Sequence, residues 1–495
     1  MNMDMNMDEE ASENTANQIN FEKILGITGG VTYNINEIIG SGIFLTPGNV
    51  WRLTKSPGIT LIFWIVGGLF SFLGSSVYAL LSEMLPDGAG ELLYLDEAFP
   101  KPKRIIAQIF SHAMIFVMRP ASIVADSYAT SQYILFAIRG ESGDYLDPKG
   151  YFSKDFIIIR CISIAVLTII TLYHIRSSRL AARINIIFAA VKILALSVII
   201  IVGLIQLHNV NLRSHWTNIF NNTVSDQRTF PEQVGSYGDA MLQVLFAYEG
   251  WNNVNYLTDE LVEPNLVAKS NNYSVGIAFI LYVLTNVAYI TVVNPEDAVI
   301  RDDPSQIIAI NFGKALIGET GKRIISILIA ISSCGAVAAM IYSGSRIIVY
   351  GARKDLIACS KFYELNERYN TPINALLFQL AYCIILTIFF PTIWNIFLFF
   401  ITTSLYLTIL YHGVSAISLV VLQNKFPTIV SCFKATILCV SFLILIILMA
   451  IVTFFPLPAT EDRKLHYIPY VIAWSAIILG GIIPYLYGKF GNRLR

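Results

Sequence analysis

Residues 246–255, FAYEGWNNVN, place a carboxylate, a glycine and three asparagines inside a segment that is otherwise apolar enough to cross a membrane. The hydrocarbon core of a membrane holds no water, so charged side chains and irregular backbone persist there only where protein or a wet cavity surrounds them. A carboxylate and amides in such a place can bind a polar solute by charge and by hydrogen bonds. The segment therefore predicts a binding site within an interrupted helix.

A second interruption lies earlier in the chain, where residues 38–44 read IIGSGIF within another apolar stretch and Pro47 follows. Gly40 and Gly42 let the chain leave helical geometry without a Cβ clash, and they expose backbone amides. Two interrupted helices in corresponding positions indicate the substrate site of a secondary transporter built from inverted repeats. A patch of small residues for helix packing is the alternative interpretation.

The exposed backbone groups of the two interruptions suit opposite charges. Freed N–H groups at the positive end of a half-helix suit a carboxylate, and here they belong to Ser41, Gly42 and Ile43. Freed carbonyl groups suit an ammonium group, and here they belong to Ile38, Phe246 and Ala247. A zwitterionic α-amino acid carries both groups on one carbon, so facing interruptions predict recognition of an amino acid backbone.

The composition predicts the elements that must position these residues. Hydrophobic residues make up 55% of the chain and charged residues only 14%, the mean hydropathy is +0.61, and soluble proteins carry about 25% charged residues. This is the composition of an all-α polytopic membrane protein. The formal net charge is zero, which indicates no nucleic-acid partner.

A membrane span needs about 20 predominantly apolar residues, and the sequence predicts twelve such transmembrane helices. The division between the ninth and tenth lies at Pro391, which is alternatively a kink within one long segment. The predicted spans are residues 26–50, 59–84, 105–138, 156–175, 183–207, 238–261, 271–293, 323–350, 373–390, 392–415, 434–455 and 467–488.

Loop charges and cysteines predict the orientation of the chain. Basic clusters such as residues 101–104 and 176–183 follow even-numbered spans, which favours a cytoplasmic position for both termini. The sequon that begins at Asn221 then lies outside; glycosylation at Asn272 would contradict this orientation. Four of the six cysteines lie in predicted spans, Cys359 and Cys432 lie in or beside inner loops, and no extracellular disulfide is expected.

No constellation for catalysis is present in the sequence. There is no metal-ligand spacing, phosphate loop or nucleophile elbow, and the six histidines are scattered, so they predict no ligand set. We therefore expect no enzyme activity, no metal and no cofactor.

The interrupted segments belong to a recognisable set of motifs. The set comprises residues 39–44 with Pro47, Arg119-Pro120, residues 189–196 (AAVKILAL), and residues 246–260 with Pro264. These motifs resemble the L-type amino acid transporters of the amino acid–polyamine–cation superfamily, to which fungal methionine permeases are related. The resemblance covers residues 25 to 420. It implies a five-plus-five inverted repeat with discontinuous first and sixth helices, substrate contacts at the positions named above, and an outer gate at Phe246.

The resemblance divides the chain into five parts. Residues 1–24 are expected to form a disordered cytoplasmic tail, since they are polar and lack the basic start of a signal peptide. Residues 25–207 form the first repeat, 208–237 an extracellular loop, 238–420 the second repeat, and 421–495 the last two spans with a short tail.

Lys192 lies in the middle of the fifth span, too far from either interface for its ammonium group to reach water easily. It must therefore face protein or a wet cavity. In the family that this chain resembles, a matching lysine supplies the positive charge that sodium supplies in sodium-coupled relatives, which implies sodium-independent transport. A structural lysine that is hydrogen-bonded to carbonyl groups is the alternative.

Glu249 departs from the small residue that transporters of large neutral amino acids carry at this position. Its carboxylate can bind a cationic side chain, take part in proton coupling, or cap a helix beside water. Gly250 and Asn252 complete the predicted substrate-binding set. Ile123, Val124, Phe399 and Phe400 are candidates for the apolar part of the pocket, whereas Arg119 and Asp126 are interpreted as structural polar residues.

The expected function is sodium-independent transport of neutral L-amino acids, such as large neutral ones or methionine, by alternating access with exchange or proton symport. A carrier of cationic amino acids or polyamines that uses Glu249 is one alternative, and a transporter-like nutrient sensor is another. The loop from Arg139 to Asp155 lacks the cysteine through which resembled proteins bind a heavy chain, so no disulfide-linked heavy chain is expected. The plasma membrane is the expected location, and loop 86–90 is expected to shape the inner gate.

Overall fold

Apolar stretches bounded by capping residues form helices along the chain. Ser56, Ser177 and Ser431 each precede a long apolar stretch, and each side chain accepts a hydrogen bond from the first turn of the helix that follows. The computed structural model describes residues 21–102, 104–140, 154–299, 307–357, 364–366, 368–389, 396–455 and 467–491. Most of the predicted tail 1–24, most of loop 139–155, Cys359 and Pro391 lie outside these ranges.

The secondary structure of the described residues is helical, apart from two isolated bridges between single residues. A π-helical turn, Met114–Met118, lies within α5, and two 3-10 helices span Ser214–Trp216 and Asn253–Glu260. The α-helices are α1 Ile27–Ile38, α2 Gly42–Thr54, α3 Pro57–Met84, α4 Glu91–Ala98, α5 Ile105–Arg139, α6 Lys154–Arg176, α7 Ser178–Gln206, α8 Val210–Arg213, α9 Phe230–Tyr248, α10 Leu266–Val292, α11 Pro295–Val299, α12 Ile308–Arg353, α13 Ile373–Phe389, α14 Ile396–Gln423, α15 Cys432–Val452 and α16 Ile468–Gly491.

Eight of the described helices, α3, α5, α6, α7, α10, α12, α14 and α15, are long and apolar enough to cross a membrane. Large apolar side chains remain exposed on their outer faces. On α7, for example, Ile187, Leu194 and Ile201 are more than half exposed and recur every seven residues along one face. Such a surface suits lipid. The predicted all-α, multi-pass membrane fold is confirmed, whereas the count of twelve spans stays a prediction.

Both interrupted helices are present where the sequence places them. The first predicted span consists of α1 and α2, and the sixth consists of α9 and the 3-10 helix Asn253–Glu260. Helix α9 begins at Phe230, eight residues before the predicted start, because Thr229 and Glu232 form a reciprocal capping box ahead of the apolar residues. The eighth predicted span lies within the longer α12, which a non-helical pair, Ile317 and Gly318, divides.

The two interrupted helices lie at the centre of the helix packing. Helix α1 packs against α7, α10 and α12, and α2 packs against α9. The pairs α3 with α10 and α5 with α12 pack along their lengths around this centre. Ile38, Ile39 and Ile43 of the first interruption are at most 2% exposed, so other helices enclose the interruption on every side.

Loop 85–90 fixes the C-terminal half of the second interrupted helix. The backbone N–H of Gly88 donates to Asp259 Oδ1 at 2.8 Å, and that of Gly90 donates to the carbonyl of Asn255 at 3.1 Å. Gly90 has φ +52°, and a Cβ there would lie 2.8 Å from the ring of Tyr256, so only glycine fits. The glycines of this loop therefore allow close docking on the 3-10 helix.

Candidate functional site

The first interruption is a short unwound stretch between α1 and α2. Helix α1 ends at Ile38, and the N–H of Gly40 turns back to the carbonyl of Ile38 at 2.8 Å. Helix α2 restarts at Gly42 with Ser41 as its N-cap residue. The sequence folds this way because the glycines on both sides of Ser41 carry no side chain into the crowded core.

Side chains from two neighbouring helices hold this stretch. Ser332 of α12 donates to the carbonyls of Ile39 and Gly40, at 2.8 Å each. Asp126 of α5 accepts a hydrogen bond from the Ser41 hydroxyl, with a distance of 2.6 Å to Oδ1. These contacts anchor the unwound residues to helices outside the interrupted pair.

Lys192 reaches the end of α1 from α7. It is 1% exposed, and Ala189 and Leu196 lie on the same buried face, which confirms that the lysine faces protein and not lipid. Its Nζ donates to the carbonyl of Asn36 at 2.7 Å. A Cβ built at Gly335 of α12 would lie 2.8 Å from Lys192 Cε, so the lysine passes closely between α1 and α12.

The second interruption begins where α9 ends at Tyr248. Glu249 is extended, with φ −66° and ψ 149°, and Gly250 has φ +110°. A Cβ at Gly250 would lie 2.5 Å from Glu37 Cγ, so both the backbone angle and the space require glycine. The chain then resumes as the 3-10 helix.

Asn34 of α1 holds the second interruption through both ends of its amide. Its Nδ2 donates to the carbonyl of Trp251 at 2.6 Å, and its Oδ1 accepts from the N–H of Val254 at 2.8 Å. This side chain is fully buried. The second interruption is therefore tied to the first interrupted helix itself.

The two interruptions touch at Gly42. A Cβ at this position would lie 2.7 Å from Ala247 Cα and 2.9 Å from Ala247 Cβ. The hydroxyl of Tyr282 lies 2.7 Å from the carbonyl oxygen of Ile38 and 2.9 Å from that of Ala247, so its single proton is shared between the two interruptions. Both carbonyls were expected to be free. That of Ile38 instead accepts from both Gly40 and Tyr282, whereas that of Ala247 accepts from Tyr282 and retains one lone pair for a further donor.

A cavity opens between the interruptions. Six of the predicted substrate-binding residues line it: Ile38, Gly40, Gly42, Phe246, Glu249 and Asn252. The other four, which are Ser41, Ile43, Ala247 and Gly250, are buried behind this lining, as is Lys192.

The residues of α5 and α14 that line the cavity are neighbours in sequence of the residues predicted to do so. Ile123, Val124, Phe399 and Phe400 are buried but do not line the cavity. Helices α5 and α14 instead present Met114, Met118, Ser122, Ile401, Ser404, Leu405 and Thr408. Helical geometry explains the difference, because residues that lie next to each other in sequence point about 100° apart around a helix.

Two charged residues that were interpreted as structural line the cavity. Arg119 Nη1 donates to Glu37 Oε1 at 2.6 Å, and both side chains are nearly buried. Asp126 faces the Ser41 hydroxyl and also interacts electrostatically with Lys192. Glu37 was not predicted from the sequence, although an acid beside Asn36 in an apolar segment was a usable signal.

Glu91 and His412 were also missed. Glu91 begins α4, lines the cavity and is 3% exposed. His412 lies in the middle of α14 and is 1% exposed, within hydrogen-bonding range of Glu249. The scattered histidines carried no sequence signal, because the partners of His412 come from α3, α4 and the second interruption.

Comparison with known proteins places this site in a family. The sequence profile described as amino acid permease matches residues 27–483. The Asc-type amino acid transporter 1 of Mus musculus is 32% identical over 371 residues, which is 74% of this chain and 64% of that protein, a little under two thirds of its length. The b(0,+)-type amino acid transporter 1 of Mus musculus is 28% identical over 490 residues, covering 98% of this chain and 92% of that protein.

A third relative is the large neutral amino acids transporter small subunit 2 of Mus musculus, which is 29% identical over 430 residues, covering 84% of this chain and 73% of that protein. The profile covers almost the whole chain, and the relatives include the named L-type group. The chain therefore belongs to the amino acid permease family, as a multi-pass integral membrane protein of the L-type amino acid transporter group.

Proposed function

We propose that the protein transports neutral L-amino acids, such as large neutral ones or methionine, by alternating access and without sodium. The observation that carries the proposal is the crossing of the two interrupted helices at Gly42 and Ala247, with both interruptions lining one cavity. The relatives named as amino acid transporters support the same substrate class.

The backbone of the substrate binds between the interruptions. Its carboxylate lies at the start of α2, where the N–H groups around Gly42 and the positive end of the helix attract an anion. Its ammonium group faces the carbonyls of Ile38, Phe246 and Ala247 and displaces part of the hydrogen bonding from Tyr282. The side chain of the substrate then occupies the part of the cavity lined by methionines and by α14.

Lys192 removes the need for sodium in this proposal. Its ammonium group lies between α1 and α12 and donates to the Asn36 carbonyl. In this position it supplies the positive charge that a bound sodium ion would otherwise supply. The same contact fits a structural lysine, so the two roles coexist in one geometry. Sodium-dependent uptake by the reconstituted protein would contradict the charge-substitute role.

Transport requires that the cavity open alternately to each side. The repeats 25–207 and 238–420 supply one interrupted helix each, and rocking of the segment that holds both would change the access of the cavity. The ring of Phe246 packs edge-on against Phe397 of α14, with centroids 5.9 Å apart, which suits an outer gate. We place the protein in the plasma membrane, without a disulfide-linked heavy chain.

Glu249 favours a second candidate, transport of cationic amino acids. Its carboxylate lines the cavity and keeps 24% of its side-chain surface exposed. A guanidinium or ammonium side chain can pair with this group. Glu249→Gln separates the candidates, because it abolishes arginine and lysine uptake while leucine and methionine uptake persist if the carboxylate selects the side chain.

The test is uptake of labelled leucine, methionine and arginine into liposomes that contain only this protein. Sodium, a pH gradient and internal amino acid are varied independently. Sodium-free uptake of leucine or methionine, accelerated by internal amino acid or by an acidic exterior, supports the proposal. No uptake or counterflow of any amino acid under any of these conditions contradicts it.

A further inference from the structure

A chain of four titratable side chains runs along the wall of the cavity. His412 Nε2 lies 3.4 Å from Glu249 at the second interruption. On its other side, His412 Nδ1 lies 2.7 Å from the hydroxyl of Tyr78 in α3, which donates to Glu91 Oε1 at 2.9 Å. Glu249, His412, Tyr78 and Glu91, here called the relay, thus join two carboxylates of the cavity wall through side chains behind it.

The relay is almost closed to solvent. Tyr78 is fully buried, His412 is 1% exposed and Glu91 is 3% exposed. Oε2 of Glu91 is buried and has no hydrogen-bond partner within the described part of the chain. A buried carboxylate oxygen without a donor is costly, unless the group takes up a proton or another cation reaches it.

The charges beside the cavity do not balance at the relay. Arg119 is matched by Glu37, and Lys192 by Asp126. Glu91 and Glu249 remain, and the nearest other cation to both is His412, which is charged only when protonated. With a neutral imidazole, buried Glu91 and partly exposed Glu249 lie at the two ends of one hydrogen-bonded chain without a permanent cation of their own.

Other groups close to the relay do not remove this imbalance. Around His412 lie Tyr78 of α3, Glu91 of α4, Glu249 and Trp251 of the second interruption, neighbouring Tyr411, and Phe442 of α15. Around Glu91, Asn252 donates to Oε1 at 2.7 Å, the Tyr256 hydroxyl hydrogen-bonds to the carboxylate, and Arg119 interacts with it electrostatically. Arg119 is the one permanent cation of these groups, and Glu37 already pairs with it.

We propose that the relay binds and conducts the proton that accompanies a neutral amino acid, so that transport is proton symport. This inference rests on the proposed transport function and adds its coupling ion. Histidine is suited to the role, because its charge changes near physiological pH. The proton path links the substrate-binding interruption to Glu91, beside loop 85–90, on the side predicted to be cytoplasmic.

The transfer is a balanced exchange of protons along existing hydrogen bonds. A proton on Glu249 passes to Nε2 of His412, whose other proton leaves Nδ1 for the Tyr78 oxygen as the Tyr78 hydroxyl proton passes to Glu91. One proton has then moved from Glu249 to Glu91, and Tyr78 is again neutral. Rotation of the imidazole and the hydroxyl restores the starting arrangement.

The experiment uses the full chain in sodium-free liposomes that enclose a pH-sensitive dye, with an acidic exterior. Counterflow of labelled amino acid with unlabelled amino acid is measured in parallel, since it reports binding and alternating access without net proton movement. The variants are Tyr78→Phe, which removes the bridging hydroxyl, and His412→Gln, which keeps hydrogen-bonding atoms without a titrating nitrogen. Tyr289→Phe is the control, because that buried hydroxyl has no hydrogen-bond partner among the described residues.

We expect leucine or methionine to acidify the interior with the wild type and with Tyr289→Phe. With Tyr78→Phe or His412→Gln this acidification falls at least about tenfold, as for loss of a proton-transferring group, while counterflow stays within about twofold. If either variant retains counterflow and acidifies like the wild type, the proposal is overturned.

Two outcomes for the wild type separate this inference from the function on which it rests. Counterflow without substrate-dependent acidification overturns the relay but leaves amino acid transport standing. Absence of counterflow contradicts the transport function itself. If only Tyr78→Phe loses counterflow, that variant is structurally damaged. The acidification measured with His412→Gln then tests the relay.

Discussion

The two interrupted helices differ in what holds their unwound residues. The first interruption is fixed from outside by Ser332, Asp126 and Lys192, which belong to α12, α5 and α7. The second is held by Asn34 of α1, and Glu249 and Asn252 at its edge reach His412 and Glu91. A hydroxyl, a carboxylate and an ammonium group thus hold one interruption, whereas a histidine contacts the other.

We infer from this difference that the two interruptions have different roles in transport. The first interruption presents amides at the start of α2 in a fixed geometry, which suits recognition of a carboxylate that every amino acid carries. The second interruption contacts His412 of α14, and a histidine can change its charge near physiological pH, which suits coupling and side-chain selection. Changes at the contact between the interruptions should therefore affect every substrate, and changes beside the second should affect coupling.

The largest effect is expected where the interruptions touch. Gly42→Val places a branched side chain where even a Cβ would lie 2.7 Å from Ala247 Cα, so the two interruptions must separate. Uptake of every amino acid should fall at least about 100-fold, because misplacement of binding groups by about 1 Å has effects of this size.

Gly26→Ala is the matched control for this variant. A Cβ at Gly26, just before α1, meets no atom within 4 Å, so uptake should be unchanged. If Gly42→Val reaches the membrane and transports like the wild type, the contact between the interruptions is not part of the site.

Lys192→Met tests the outer anchoring of the first interruption. It removes the donor to the buried Asn36 carbonyl and the positive charge that interacts with Asp126, and a buried acceptor left without its donor costs about 1–3 kcal/mol. Sodium-free uptake should fall about tenfold or more, measured in liposomes against Lys269→Met, which changes an exposed lysine. Wild-type activity in Lys192→Met would show that the ammonium group is dispensable.

Tyr282→Phe should have an intermediate effect. The variant loses only the hydroxyl that bridges the carbonyls of Ile38 and Ala247, while the ring keeps its edge-on contact with Trp64. A net hydrogen bond is worth about 0.5–1.5 kcal/mol, so the KM for all substrates should change about three- to tenfold without a change in pH dependence. A change confined to one substrate would place Tyr282 beside the side-chain pocket.

The smallest effect is expected in the loop before α9. Arg228 pairs with Asp226 and donates to the carbonyl of Leu53 at 2.6 Å, which ties this loop to the C-terminal end of α2. The hydrogen bond from the Arg228 side chain lowers the pKa of Asp226. A lowered pKa in the folded state contributes stability above the unfolded-state pKa, and this stability is lost as the pH falls through the folded-state pKa.

Asp226→Asn should therefore lower thermal stability by less than about 1 kcal/mol at neutral pH, and the difference from the wild type should vanish in acid. Transport should be unchanged. A strong loss of transport would show that the interruptions are held by the loop before α9 rather than by the buried contacts.

Much of this site could be predicted from sequence because its signals are local. Glycines beside a serine and an acid beside a glycine stand out within apolar segments, and six of the ten predicted substrate-binding residues line the cavity. Lys192 was recognisable for the same reason, since a lysine in the middle of a span must face protein.

The remaining features depend on pairings between distant parts of the chain. The relay joins residues 78, 91, 249 and 412, and no spacing in the sequence relates them. The direction in which Ile123 or Phe399 points depends on the rotation of α5 and α14, which packing sets and hydropathy does not. The hydrogen bonds from Tyr282 to the carbonyls of Ile38 and Ala247 likewise join distant parts of the chain and could not be predicted from the sequence.

The most direct test of the account is whether both backbone groups of the substrate are required. Counterflow of the best-transported of leucine, methionine and arginine is measured in sodium-free liposomes, with competition by two of its analogues. One analogue is an amide that lacks the carboxylate, and the other is a keto acid that lacks the ammonium group. We predict that each competes at least about tenfold more weakly than the amino acid, as expected from loss of charged hydrogen bonds. Equal competition by either analogue would contradict recognition of the amino acid backbone by the two interruptions.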